Sequence, residues 1–179
     1  MSDRPPRRSR VLVVDDDPAF RDLCAEGLER RADLSSVADS TPGEALAVLG
    51  GGTVDAVVSD VSLPSADGDG VDLYRAIRER WPAFPFVFFT GTPAARLSVR
   101  VDLRADPAVD YVRKGCLPER YGVLGRRVER AVDRSRAAAV SEGSALRAIF
   151  LRGENPALQD GSESDTSYIT HRRLQAGYS

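Results

Sequence analysis

The sequence predicts an α/β fold with a parallel sheet, on two observations. Short apolar runs rich in β-branched and aromatic residues alternate with segments of helical period. Four of these runs also stop abruptly on polar residues. Residues 11–14 end on Asp15, Asp16 and Asp17, 54–59 on Asp60, 86–89 on Thr90 and Gly91, and 109–112 on Arg113, Lys114 and Gly115. Right-handed crossovers bring the C-terminal ends of parallel strands to one edge, which is where open α/β sheets bind ligands. That edge would collect Asp15, Asp16, Asp60, Thr90 and Lys114.

Each element has its own local signal. Residues 1–9, with two prolines and several arginines, read as a disordered basic arm. Over 18–31, Phe20, Leu23, Cys24, Gly27 and Leu28 recur at helical spacing on one face, behind Pro18 and a capping Asp17. A weak strand follows at 34–38. Thr41, Pro42 and Glu44 supply the cap, first-turn proline and capping-box acid of a short helix that stops at Gly50, Gly51 and Gly52.

After the strand leading to Asp60, a loop over 64–70 precedes a helix carrying Val71, Leu73, Tyr74, Ile77 and Trp81 and closed by Pro82. Thr92 and Pro93 open a fourth helix expected to reach about residue 103, and Asp106-Pro107 breaks the chain before the last strand. The final helix is expected over about 118–136. Tyr121, Leu124, Val128, Ala131 and Val132 would face the sheet, and arginines the solvent. Residues 139–152 contain Leu146, Ile149 and Phe150, enough for a short helix, and from Gly153 the composition is that of a disordered tail. The organisation is therefore a folded domain over 10–138 and an extension over 139–179.

Three carboxylates within a few ångströms repel one another and raise one another's pKa. A hard divalent cation resolves that conflict, and oxygen-only ligands beside a lysine suit Mg²⁺ shared with a phosphoryl group. A carboxylate can also act as the nucleophile and form an aspartyl phosphate. The metal, Lys114 and the Thr90 hydroxyl would then neutralise the oxygens of the transferring group. Composition supports the lysine independently. Of 25 Lys plus Arg residues only Lys114 is lysine, in a chain that otherwise uses arginine. A lone lysine is usually a solvated surface residue. This one falls where a compact point charge on a flexible stem could reach both a carboxylate and a phosphoryl oxygen, which a planar guanidinium fits less well.

Four motifs occur in order at the strand ends. They are Val-Val-Asp-Asp-Asp-Pro at 13–18, Ser-Asp-Val-Ser-Leu-Pro at 59–64, Phe-Phe-Thr-Gly at 88–91 and Asp-Tyr-Val-Arg-Lys at 110–114. Together they resemble the receiver domain of two-component response regulators over about residues 9–138. The resemblance implies a flavodoxin-like, doubly wound, five-stranded parallel sheet of order 2-1-3-4-5. It implies Asp60 as phosphoacceptor, with Asp15, Asp16, Asp60 and the Ser62 backbone carbonyl holding Mg²⁺. Thr90 and Lys114 would contact the phosphoryl group, and Thr90 and Tyr111 would form the switch. Two departures stand out. The loop over 64–70 is two residues longer than usual, leaving open which glycine makes the family's turn. Gly115 stands where many receivers have a cis proline, leaving the local geometry open.

The phosphodonor implied is a sensor histidine kinase on another chain, because no kinase helix bearing histidine is present; the lone His171 lies in the tail beside Arg172 and Arg173. About forty residues after the receiver are too few for a winged-helix DNA-binding domain. The expectation is a receiver-only regulator acting by protein contact, with an unidentified downstream protein or a phosphorylation-dependent homodimer as partner. A net charge of −2 and a pI near 5.5 give no general attraction to nucleic acid or anionic membrane. No run approaches the length of a membrane span, and four apolar residues after the basic start make no signal peptide, so the expected location is cytoplasmic. Cys24 belongs to the predicted core and Cys116 to a loop, and two cysteines make no disulfide framework.

Two other readings fit parts of the pattern. A Mg²⁺-dependent phosphohydrolase also uses aspartates at strand ends, but it needs a substrate pocket, and no lid or cap insertion is evident. A receiver-like interaction module that is never phosphorylated would have no use for the full set of acids, Thr90 and Lys114. The expected protein is not an enzyme beyond its own phosphorylation and dephosphorylation.

Overall fold

The computed structural model describes residues 8–31, 34–39, 41–115 and 119–151. The chain divides into two compact units, Met1–Ser141 and Glu142–Ser179. Five strands, β1 (Ser9–Val14), β2 (Leu34–Asp39), β3 (Ala56–Ser59), β4 (Phe86–Thr90) and β5 (Val109–Arg113), alternate with helices. The helices are α1 (Pro18–Arg31), α2 (Pro42–Gly50), α3 (Gly70–Arg80), α4 (Ala94–Leu97) and α5 (Glu119–Leu151). The strands form one parallel sheet in the order β2-β1-β3-β4-β5, the doubly wound arrangement expected.

Strand side chains alternate between two cores, as a period of two requires. Leu12, Val14, Val57, Phe86 and Phe88 pack with α2, α3 and Leu97 of α4. Val11, Val13, Val58, Val87 and Phe89 pack with Cys24 and Leu28 of α1 and Leu124, Val128 and Val132 of α5. Burial on both faces explains why the strands read as continuous apolar runs. Asp17 caps α1, its carboxylate accepting from the N–H of Ala19 and Phe20. Thr41 caps α2 by accepting from the Glu44 N–H at 3.2 Å.

Four local expectations need correction. Leu23, counted on the buried face of α1, is 55% exposed; the covered stripe is Cys24 and Leu28 with Phe20 partly covered. The fourth helix is a single turn and does not reach residue 103. Beyond Leu97 only Val101 is buried, and the Asp102 carboxylate diverts the chain by accepting from the N–H of Arg104 and Ala105. The last helix does not stop near 136, because Ala137, Ala138 and Ala139 favour its continuation to Leu151. β1 starts at Ser9, inside the stretch read as a basic arm. Residues 1–7, Cys116 and the tail with His171 lie outside the described residues. No peptide bond among the described residues is cis, Lys114–Gly115 included.

Burial, and then the negative charge of Asp15, push the Cys24 thiol up to about 12, with Lys114 pulling the other way. Burial and the bond its hydroxyl donates to Asp106 push Tyr74 up to about 12 as well. Both groups keep protons in the fold that the unfolded chain releases from about pH 9 to 10. Their contribution is complete below that range and is lost as pH climbs toward 12. Urea midpoints should therefore hold level to about pH 9 and then fall; a profile flat to pH 12 would contradict the assignment.

Candidate functional site

Sheet register decides which strand ends meet. Val14 of β1 lies opposite Ser59 of β3, so Asp15 and Asp60 leave neighbouring strands side by side. The Asp60 N–H donates to the Val14 carbonyl at 3.0 Å. Thr90 of β4 lies opposite Arg113 of β5, and the Lys114 N–H continues that ladder by donating to the Thr90 carbonyl at 2.8 Å. The Lys114 stem then crosses toward β1. Its Nζ donates to Asp15 Oδ2 and to Asp60 Oδ2, each at 2.5 Å.

The three side chains are 4% (Asp15), 12% (Asp60) and 19% (Lys114) exposed, so water contributes little and each charge depends on the others. Burial works against the Lys114 ammonium, but its hydrogen bonds to Asp15 and Asp60 more than offset that and raise its pKa above the ordinary lysine value. Asp60 Oδ1 is held separately, accepting from the N–H of Val61 at 2.6 Å and Ser62 at 3.2 Å. Asp15 Oδ1 accepts from the Asp17 N–H at 3.0 Å.

The remaining predicted residues surround this centre without all touching it. Asp16 is exposed and shares an open hollow with Ser62, Leu63, Pro64 and Asp69. Thr90 is buried, and its Oγ1 accepts from the Thr92 N–H at 3.1 Å. Tyr111 is half-buried against the core under α3 and α4 and donates its hydroxyl proton to the Thr92 carbonyl at 2.9 Å. The structure thus joins Asp15, Asp60 and Lys114 directly, and links Thr90 to Tyr111 through the backbone of Thr92.

Asp15, Asp16 and Asp60 bring two more negative charges to this edge than Lys114 neutralises. Their all-oxygen donor set fits a hard cation such as Mg²⁺. Among the described residues no group of three His, Cys, Asp or Glu side chains stands close enough to hold a metal alone. An ion taken here would keep much of its water, as Mg²⁺ commonly does.

Sequence reasoning missed several contributors. Gly70 runs against the Asp60 backbone: a Cβ there would lie 1.8 Å from the Asp60 carbonyl oxygen. Gly70, at the start of α3, is therefore the glycine required by close approach, while Gly68, at φ +104°, makes the positive-φ turn of the lengthened loop. Asp69 caps α3 in a reciprocal capping box with Asp72 and pairs through both oxygens with Arg100, at 2.5 and 3.1 Å. The Arg100 bonds and the capping N–H groups outweigh the burial that would raise Asp69, and lower its pKa. Arg21 Nη1 donates to the Asp15 carbonyl at 2.5 Å, and the Phe20 ring lies on Lys114. The two glycines in 64–70 were a legible signal for the loop; nothing in sequence spacing marked Phe20.

Gly70→Ala should cost about 1 to 3 kcal/mol by forcing the loop off the Asp60 backbone. Gly91→Ala, where a Cβ meets nothing within 4 Å, should stay within about 0.5 kcal/mol. Urea denaturation of both variants checks the contrast, and equal costs would mean that the close approach is not a constraint.

Residues 11–121 match the family model described as response regulator receiver domain. The C4-dicarboxylate transport transcriptional regulatory protein DctD of Rhizobium meliloti is 29% identical over 83% of this chain and 32% of its own length. The DNA-binding transcriptional regulator NtrC of Salmonella typhimurium is 27% identical over 86% of this chain and 32% of its own. The chain spans between about a fifth and a third of the length of the curated relatives it matches. Among solved structures, a response regulator receiver domain protein from Methanospirillum hungatei JF-1 superposes with a TM-score of 0.60 at 25% identity. That match covers 73% of this chain and 98% of the other. With the match spanning well over half its length, the chain belongs to the response regulator receiver domain family.

Proposed function

We propose that this protein accepts a phosphoryl group on Asp60 from the phosphohistidine of a sensor histidine kinase. The observation that supports it most directly is the single ammonium, Lys114, bonded to both Asp15 and Asp60 at the ligand-binding edge of the sheet. Asp60 Oδ1 is engaged by two backbone N–H groups, which fixes the carboxylate, and Oδ2, now held by Lys114, would be the oxygen that attacks phosphorus. As the new O–P bond forms, the P–N bond breaks and its electron pair returns to the imidazole. Lys114 Nζ, already on Oδ2, needs only a small shift to meet a phosphoryl oxygen. Asp15, Asp16, Asp60 and the Ser62 backbone carbonyl would hold Mg²⁺, which supplies charge neutralisation for the transferring group.

The signal then leaves through Thr90 and Tyr111. A Thr90 hydroxyl drawn toward the phosphoryl group releases the Thr92 N–H that it now accepts from, and the Thr92 carbonyl holds the Tyr111 hydroxyl. Phosphorylation thereby reaches the face built from α4, β5 and α5, where output is by protein contact, with a downstream protein or with a second copy of the chain. No helix among the described residues is long and apolar enough to cross a membrane; the proposed setting is the cytoplasm, where a kinase would present its phosphohistidine. The phosphorylatable domain is proposed to comprise 10–138, with 139–179 dispensable for labelling.

Incubation with acetyl phosphate and Mg²⁺, followed by intact-mass and peptide analysis, should show one phosphoryl group, labile to hydroxylamine, on Asp60. Asp60→Asn should abolish it, and undiminished labelling of that variant would remove the central assignment. Asp16→Ala should weaken Mg²⁺ binding, and unchanged affinity would move the metal elsewhere.

A separate prediction concerns Lys114→Arg. The guanidinium is too broad for the two carboxylates that the ammonium now bridges, so the phosphorylation-dependent change in association should be lost although the charge is kept. A fully responsive Lys114→Arg protein would show the lysine to be incidental.

A further inference from the structure

The Lys114 ammonium carries three protons, and two point to Asp15 and Asp60. Its remaining side is covered by an aromatic ring, with Nζ 3.9 Å from the centroid of Phe20. Within about 6 Å a ring face attracts a cation, and it does so without the lone pair that a water or carboxylate would bring. The ring is itself held from several directions. The Phe20 N–H donates to the capping carboxylate of Asp17, and the next residue, Arg21, grips the Asp15 carbonyl. Behind it the Phe20 ring leans on Phe89 at 5.6 Å, and Phe89 meets the edge of Tyr121 at 6.0 Å. Tyr121 in turn fills the space left by the missing side chain of Gly27, where a Cβ would stand 2.5 Å from the ring.

We propose that Phe20 is a positioning residue for phosphoryl transfer: its ring closes the third side of the Lys114 ammonium, keeping Nζ between Asp15 and Asp60, where it meets the incoming phosphoryl oxygen. This rests on Asp60 being the phosphoacceptor. With the ring in place, a swing of the flexible lysine stem toward solvent forfeits two charge-assisted hydrogen bonds and the ring contact together. Without it, water accepts a hydrogen bond from the third N–H and opens a path for the ammonium to leave. An aliphatic side chain fills part of the same space but offers no quadrupole, so the effect belongs to the aromatic face and not to bulk alone.

The solitary lysine makes the test direct. Full chain grown with carbon-13 lysine gives one lysine side-chain signal, that of Lys114. In the wild type its ε-methylene protons should be shifted upfield by the ring. Phe20→Leu should return them toward the position of a free lysine, and Phe20→Tyr should keep the shift. With acetyl phosphate and Mg²⁺ the maximal labelling rate of Phe20→Leu should fall roughly 2- to 30-fold, with little change in the acetyl phosphate concentration at half-maximal rate. Phe20→Tyr should recover the rate. In a Lys114→Met background, Phe20→Leu should produce no further fall, which separates action through the ammonium from a general loosening of α1.

A lysine signal indifferent to Phe20→Leu overturns the contact. Undiminished labelling by Phe20→Leu, or an equal fall in the Lys114→Met background, overturns the positioning role. A wild-type protein with the ring-shifted lysine signal but no label on Asp60 overturns the phosphoacceptor reading, and with it the role given to Phe20, while the contact stands.

Discussion

One lysine shared by two carboxylates is the interaction on which this structure turns. Asp15, Asp60 and Lys114 come from β1, β3 and β5, and the sheet order separates the two acids from the lysine by the width of β4. The contact therefore exists only if all four strands pair in register. A slip by one residue would turn a terminal acid to the other face of the sheet. In the other direction, removing one member of a buried charge group leaves its partners unpaired, at a typical cost of 3 to 5 kcal/mol. The triad is costly to assemble and costly to break. It also stays one charge short of neutral, which favours cations arriving at this edge.

That constraint was legible in the sequence because chemistry and topology coincide at strand ends. Each strand is a short apolar run that stops on a polar residue, and right-handed crossovers align those stops without any knowledge of side-chain packing. The lysine was marked by composition, as the one exception in a chain of arginines. What escaped depended on contacts between residues distant in sequence. Phe20 sits at ordinary helical spacing, and only the fold lays its ring on a lysine 94 positions away. The fourth helix looked longer because Thr92 and Pro93 make a good start. Its end is set by the Asp102 turn and by the lack of buried residues other than Leu97 and Val101, which local propensity does not reveal. The last helix looked shorter because its sheet-facing pattern ends near Val132, whereas helix formation needs only the alanines that follow.

The loop after Asp60, which the sequence marks as two residues longer than usual, is tied to that residue at both ends. The loop leaves through Val61 and Ser62, whose N–H groups bind the Asp60 carboxylate, and it returns at Gly70, pressed against the Asp60 carbonyl. The Gly70 N–H also donates to the Val61 carbonyl at 3.0 Å, closing the loop at its base. Both ends are thus pinned at Asp60, and extra length has to be taken up between them. Gly68 takes the backbone through positive φ, and Asp69 caps α3, a contribution of about 1 kcal/mol. The Arg100 pair, with partners 39% and 28% exposed, adds only about 0.2 to 1 kcal/mol. Its larger effect is geometric: it ties the top of the loop to the segment just after α4. Because Asp69 shares its hollow with Asp16, the extended loop lines the acidic side of the edge, while Gly70 lets it pass close against the Asp60 backbone carbonyl.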